Sequence, residues 1–85
     1  MRHSASSSFW QAYQALPASV RKAADKSFDL LKQNPSHPSL HFKPVGRFLS
    51  ARIGLHHRAL GVSIDGGVLW FWIGSHTDYE RMIKY

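Results

Sequence analysis

The stretch VLWFWIGSHTDYE at residues 68–80 decides the fold, because it joins a buried strand to the start of a helix. Its first six residues are apolar, and their aromatic and β-branched side chains favour a strand that is covered on both faces and stops at Gly74. Thr77 followed by Glu80 three residues later has the spacing of a capping box and predicts a short helix. We therefore expect His76 to lie just outside a helix N-terminus, where free N–H groups attract anions.

The residues before this stretch predict further strands. We expect them at about residues 40–44, 48–55, 57–64 and 68–73. Apolar and polar residues alternate in the second strand, as in a half-buried strand, and the dipeptide at 65–66 marks a tight hairpin between the last two. Counting back from that turn places Arg58 opposite Ile73, three residues from His76. An arginine and a histidine are thus expected on the same rim of the sheet.

Two helices are predicted before the strands. Ser8 and Gln11 have capping-box spacing, and Pro17 suits the first turn of a second helix that ends before Pro35. The first seven residues are expected to be either disordered or an edge strand. Helices followed by strands indicate an α+β fold. Residues 1–85 are therefore predicted to form a single domain: a helical hairpin packed on a twisted antiparallel sheet of three to four strands, with a short C-terminal helix.

The charge distribution points to a polyanionic partner. The chain has 11 Lys and Arg against 5 Asp and Glu, and no acidic residue occurs between Asp29 and Asp65. A surface of one sign fits nucleic acid or an acidic protein segment, although basic residues on small proteins are often merely solvated. The absence of cysteine excludes a disulfide framework, and no apolar run approaches the roughly 20 residues of a membrane span. We expect a cytoplasmic protein that does not associate with membranes.

Arg58 and His76 are the candidate catalytic residues. Their side chains could converge on one phosphate, where a guanidinium stabilises negative charge and an imidazole moves a proton while a 2′-hydroxyl attacks the phosphodiester. The scarcity of carboxylates in the basic region argues against metal-dependent hydrolysis, so no metal or other cofactor is expected. The alternative is that His76 only caps the last helix.

Aromatic and imidazole side chains in the strands leave further alternatives open. Trp70 and Trp72 either pack in the core, which their apolar strand favours, or stack on bases. His56 and His57 are neighbours on a strand and point to opposite faces, so at most one of them can contribute to the site.

The sequence also resembles the RelE/ParE superfamily of toxins from type II toxin–antitoxin systems, over roughly residues 9–83. The matching segments are FW at 9–10, LP at 16–17, NPSHPSLHFK at 34–43, SARIG at 50–54, HRAL at 57–60 and WFWIGSHTDY at 70–79. The resemblance implies a helical hairpin packed on a twisted antiparallel sheet with a C-terminal helix, in agreement with the predicted order of elements.

The resemblance also implies roles for individual residues. Arg58 matches the strand arginine of the RelE-like nucleases, and His76 falls where members have an arginine or a histidine before the last helix. Arg52 corresponds to a basic residue that contacts the phosphate backbone, and Tyr79 to a C-terminal aromatic residue. From their own chemistry, further RNA or phosphate contacts are expected from Lys43, Arg47 and His57.

Two activities follow from the resemblance. RelE-like members cleave messenger RNA on the ribosome without a metal, and this is the activity expected here. ParE-like members poison DNA gyrase without catalysis, which is the first alternative. The second alternative is an inactive relative that binds nucleic acid, because a fold does not fix a function. In the toxin hypotheses, the partner is a cognate antitoxin with an acidic or amphipathic segment.

Overall fold

The computed structural model describes residues 2–84, in which short elements follow one another with few connecting residues. They are β1 (Arg2–Ala5), α1 (Ser7–Gln14), α2 (Ala18–Gln33), a 3₁₀-helix (Pro38–Leu40), β2 (Lys43–Val45), β3 (Phe48–Ile53), β4 (His57–Ile64), β5 (Gly67–Ser75) and α3 (His76–Ile83). The predicted α+β fold, with a helical hairpin before the main strands and a short final helix, is confirmed. None of the helices within residues 2–84 is long and apolar enough to cross a membrane.

The sheet has five described strands in the order β1-β5-β4-β3-β2, rather than the three or four expected. The additional strand is β1, so the first residues form the edge strand that was one of the two alternatives. β1 runs parallel to β5, whereas the other pairings are antiparallel, and the sheet is therefore mixed. Arg2 pairs with Gly67, where a Cβ atom would collide with the carbonyl oxygen of Arg2. A glycine at this position lets the edge strand approach.

The hairpin of β4 and β5 contains an irregularity that the sequence did not reveal. The strands pair around the turn at residues 65–66 as predicted, but Phe71 is an extra residue in β5. This β-bulge shifts the register by one residue. Arg58 consequently lies opposite Gly74, whereas counting from the turn predicted Ile73.

Helices α1 and α2 cover one face of the sheet and bury the main core. Buried members of this core include Leu31, Leu40, Ala51, Ile53, Ala59, Trp70 and Ile73. We call the opposite side of the sheet the open face. Strand alternation places Ser50, Arg52, Arg58, Leu60 and Trp72 on the open face.

Helix α3 begins at His76, so this residue is the first of the helix and does not lie just outside it as expected. Ser75 is its N-cap, and the Ser75 hydroxyl accepts a hydrogen bond from the backbone N–H of Asp78 at 3.2 Å. The expected capping box beginning at Thr77 is therefore wrong by two positions. The backbone N–H of His76 donates to the carbonyl oxygen of His56 at 2.7 Å, which ties the start of α3 to the β3–β4 turn.

Three other predicted boundaries also shift. α1 is capped by Ser6, whose hydroxyl accepts from the N–H of Phe9, rather than by Ser8. The strand predicted at 40–44 is replaced by the 3₁₀-helix and the short β2. β5 does not stop at Gly74 but continues through it to Ser75. The ring of Trp72 occupies the space that a side chain at position 74 would need.

Candidate nucleic-acid site on the open face

Arg58 lies on the open face because it alternates along β4 with Ala59, which belongs to the core. Its guanidinium carbon is 5.5 Å from the ring centroid of Tyr79 in α3, which is a cation–π distance. Tyr79 is buried, with only 5% of its surface exposed. The aromatic ring therefore presents a fixed surface to the guanidinium.

His76 reaches the same aromatic ring from the first turn of α3. The rings of His76 and Tyr79 stack with centroids 5.7 Å apart and planes inclined by 30°. The structure thus places Arg58 and His76, the two candidate catalytic residues, in contact with one tyrosine.

Glu80 is a site residue that sequence analysis missed. Its Oε1 lies 2.9 Å from Nε2 of His76, and the two side chains are 53% and 46% exposed. A carboxylate that accepts a hydrogen bond from an imidazole fixes the orientation of the ring. The signal in the sequence is the spacing of four residues on a helix, which brings His76 and Glu80 together. The same glutamate also fits the capping-box pattern that begins at Thr77.

Arg52 extends the positive charge of the site. It lies directly opposite Arg58 across β3 and β4, an arrangement in which like charges repel. Nε of Arg52 donates to the carbonyl oxygen of Gly54 at 3.0 Å, and Nη1 lies 3.5 Å from Nε2 of His41. Neither arginine forms a salt bridge with a carboxylate within residues 2–84. A bound anion would relieve the repulsion between them.

Lys43 lies on the same face, in β2, which is the strand next to β3. It pairs with Ser50 across β2 and β3, and its side chain is exposed. Lys43, Arg52 and Arg58 therefore line neighbouring strands, and in the described part of the chain none of them is paired with an acidic side chain. Such a strip carries the positive charge that attracts the phosphates of a nucleic-acid backbone.

Arg47 and His57 lie apart from this strip. Arg47 is in the β2–β3 turn, with its guanidinium carbon 5.3 Å from the ring centroid of Phe48. His57 pairs with Ile53, a core residue, so strand alternation turns it away from the open face. Burial, with a smaller effect of the neighbouring His56, lowers the pKa of His57. The structure does not bring His57 together with Arg58.

The described side chains offer no constellation of three His, Asp or Glu residues that could hold a metal ion. What the site does contain is a guanidinium, an imidazole hydrogen-bonded to a carboxylate, and further cations. These groups can bind a phosphodiester, neutralise charge on its oxygens and transfer a proton.

No protein-family model matches the sequence, and no curated protein matches it. Solved structures do match the fold. A chain of the RelB–RelE antitoxin–toxin complex from Methanococcus jannaschii superposes with a TM-score of 0.72 and 11% identity, covering 93% of this chain and 96% of that one. YafQ from E. coli superposes with a TM-score of 0.70 and 14% identity, covering 92% and 96%. The protein has the RelE/ParE toxin fold.

A third structure with the RelE/ParE fold shares more of the sequence. The YoeB/ParE toxin from Agrobacterium tumefaciens is 20% identical, with a TM-score of 0.67 and coverage of 89% of this chain and 99% of that one. Identities in this range show the fold alone. Within the RelE/ParE fold, the functional assignment therefore depends on the side chains described above: Arg58 in the fourth strand, and His76, Tyr79 and Glu80 in the last helix.

Proposed function

We propose that the protein is the toxin of a type II toxin–antitoxin system and acts as a metal-independent, ribosome-dependent mRNA endonuclease. The observation that carries this proposal is that Arg58 and His76 both contact the ring of Tyr79, while His76 is paired with Glu80. An anion-binding group and a proton-transfer group thus meet beside a carboxylate-free basic strip. The RelE/ParE fold supports the toxin role.

The chemistry follows from these groups. The 2′-hydroxyl of one nucleotide loses its proton to a water molecule and attacks the adjacent phosphorus. The P–O5′ bond breaks, and the products are a 2′,3′-cyclic phosphate and a 5′-hydroxyl. Arg58 donates hydrogen bonds to the phosphate oxygens as negative charge develops on them. His76, oriented by Glu80, donates a proton to the departing O5′. Arg52 and Lys43 hold the flanking phosphates.

A cognate antitoxin is the proposed partner in the cell. The RelB–RelE structure is described as an antitoxin–toxin complex. By analogy, an acidic or amphipathic segment of an antitoxin would neutralise this toxin by covering its basic strip, with electrostatic attraction speeding association. Action on translating ribosomes places the function in the cytoplasm.

The decisive experiment adds purified protein to a translation reaction and maps the 5′ ends of the mRNA. The protein is first treated with a metal chelator and is then diluted into the translation reaction. We expect it still to cleave the mRNA. Arg58→Ala and His76→Ala should each reduce the cleavage rate by about 10²-fold or more, because each removes a group used in the transition state. Lys26→Ala is the matched control: it removes an exposed cation from α2, on the opposite side of the sheet, and should leave the rate unchanged.

Two results would contradict the nuclease proposal. Intact mRNA together with inhibited gyrase supercoiling, and toxicity retained in His76→Ala, would identify a ParE-like gyrase poison. Intact mRNA, no growth arrest and salt-sensitive RNA binding would identify an inactive nucleic-acid-binding relative.

A further inference from the structure

Ser50 in β3 is a polar residue with no role in the site described so far. Its side chain is fully buried, at 0% exposure, on the open face. The Ser50 hydroxyl and Nη1 of Arg58 are the two buried side-chain polar atoms in residues 2–84 that lack a hydrogen-bond partner in the chain. Buried polar groups nearly always have a partner, so each of these two atoms requires an explanation.

The two atoms belong to neighbouring residues. Ser50 lies opposite Leu60 in the β3–β4 ladder, and Arg58 is two residues from Leu60 on the same face. Such diagonal neighbours lie about 7–8 Å apart, with somewhat less between their Cβ atoms, and an arginine side chain can span this distance. Their chemistry is complementary, because a guanidinium only donates hydrogen bonds and a hydroxyl can accept two.

We propose that Ser50 is a positioning residue for Arg58. Its Oγ accepts a hydrogen bond relayed from Nη1–H of Arg58 through one buried water molecule, which satisfies both atoms. The guanidinium is then fixed at two points, by this link at Nη1 and by the ring of Tyr79. Its remaining donors are held in place for a phosphate oxygen. This last consequence rests on the proposed function, whereas the link itself is a property of the folded chain.

The effect of Ser50→Ala on stability distinguishes a hydroxyl that is linked to Arg58 from one that is buried without a partner. If the hydroxyl is isolated, Ser50→Ala removes an unsatisfied group and leaves stability unchanged or improved. If it is linked to Arg58, the same substitution leaves the guanidinium buried without its partner and destabilises the fold. The two roles predict effects of opposite sign.

The test is a double-mutant cycle with Ser50→Ala, Arg58→Met and the double variant, each unfolded in denaturant. Arg58→Met keeps an apolar stem and removes the guanidinium. We expect Ser50→Ala to increase the unfolding equilibrium constant about tenfold when Arg58 is present, and not to increase it in the Arg58→Met background. Ser63→Ala, which removes an exposed hydroxyl from β4, is the control and should have no effect in either background. An equal effect of Ser50→Ala in both backgrounds would overturn the proposal.

A second measurement reports on the guanidinium itself. NMR signals of ¹⁵N-labelled Arg58 should show restricted rotation of the Nη1 group in the wild type and free rotation in Ser50→Ala. Unchanged rotation in Ser50→Ala would also overturn the proposal. Both measurements work without RNA, so failure of the nuclease proposal and failure of this one give different results. If the protein cleaves mRNA, Ser50→Ala should in addition lower kcat more than it raises KM, because a mispositioned Arg58 loses contacts made in the transition state.

Discussion

Trp70 and Trp72 lie two residues apart in one strand, yet they face opposite sides of the sheet. Residues with this spacing normally share a face, but the bulge at Phe71 reverses the alternation between them. Trp70 is 4% exposed and packs in the core under α1 and α2. Trp72 lies on the open face, with its ring over Gly74. One tryptophan therefore holds the fold together, while the other belongs to the surface that carries the candidate site.

The bulge that separates the two faces is itself held by α1. The hydroxyl of Ser8 donates to the carbonyl oxygen of Phe71 at 2.7 Å, and the backbone N–H of Ser6 donates to the carbonyl oxygen of Trp70 at 2.9 Å. The start of the helical hairpin thus satisfies backbone groups of β5. The serine-rich segment therefore stabilises the part of β5 that contains the bulge.

The largest expected effect is the loss of stability on replacing Trp70, and it tests whether the core lies on only one face of the sheet. Trp70→Ala should lower the free energy of unfolding by about 3–5 kcal/mol, because it leaves a cavity in the core. Trp72→Ala should cost less, since its ring is only partly buried, but it should weaken RNA binding. Denaturant titrations and RNA-binding measurements on both variants provide the check. Equal losses of stability would mean that the open face contributes as much to the core as the helix-covered face.

A smaller effect is expected from Gly74→Ala. The added methyl group would collide with the ring of Trp72, which must move off the strand, and overpacking of this kind costs about 1–3 kcal/mol. The fluorescence of Trp72 should change while that of Trp70 does not, which can be resolved in variants that keep a single tryptophan of the pair. If Gly74→Ala leaves both stability and Trp72 fluorescence unchanged, the ring of Trp72 does not pack over Gly74.

The smallest effect is a pH dependence located on the core side. Nε1 of Trp70 donates a hydrogen bond to Nδ1 of His3 at 3.1 Å, which requires that nitrogen to be unprotonated. Burial, together with a smaller effect of Lys32, lowers the pKa of His3 from its usual value of 6.5. The unfolded chain therefore binds a proton first, so the contribution of His3 to stability is complete above pH 6.5 and is lost as the pH falls through the lowered pKa.

His3→Gln should flatten this dependence, because the amide oxygen can still accept from Trp70 and does not titrate. Unfolding free energies at pH values on either side of 6.5 provide the measurement. His57, whose pKa is also lowered, contributes with the same sign and should account for part of the remaining slope. A slope as steep in His3→Gln as in the wild type would exclude a role for His3.

The sequence predicted the features that depend on local chemistry. Helix α2 and the β4–β5 turn were recognisable from proline positions and turn residues, and the basic region between Asp29 and Asp65 was recognisable from its charge. It left disorder and an edge strand open for β1, because RHSA has no apolar alternation and the strand forms only through pairing with distant β5. The bulge at Phe71 was missed because the sequence of β4 and β5 is equally compatible with an uninterrupted ladder. The pairing of His76 with Glu80 was missed because Glu80 also fits a capping box.

The parallel pairing of β1 with β5 has a consequence for the order of folding. It joins residues near the start of the described chain to residues near its end, with every other strand between them. Closing so long a loop costs more entropy than closing the β4–β5 hairpin, which links neighbours in the sequence. We therefore expect the hairpin to form early and β1 to dock last. Since β1 supplies His3 to Trp70, the final docking step also completes the core, and slow or incomplete docking would leave the edge of β5 open to pair with another chain.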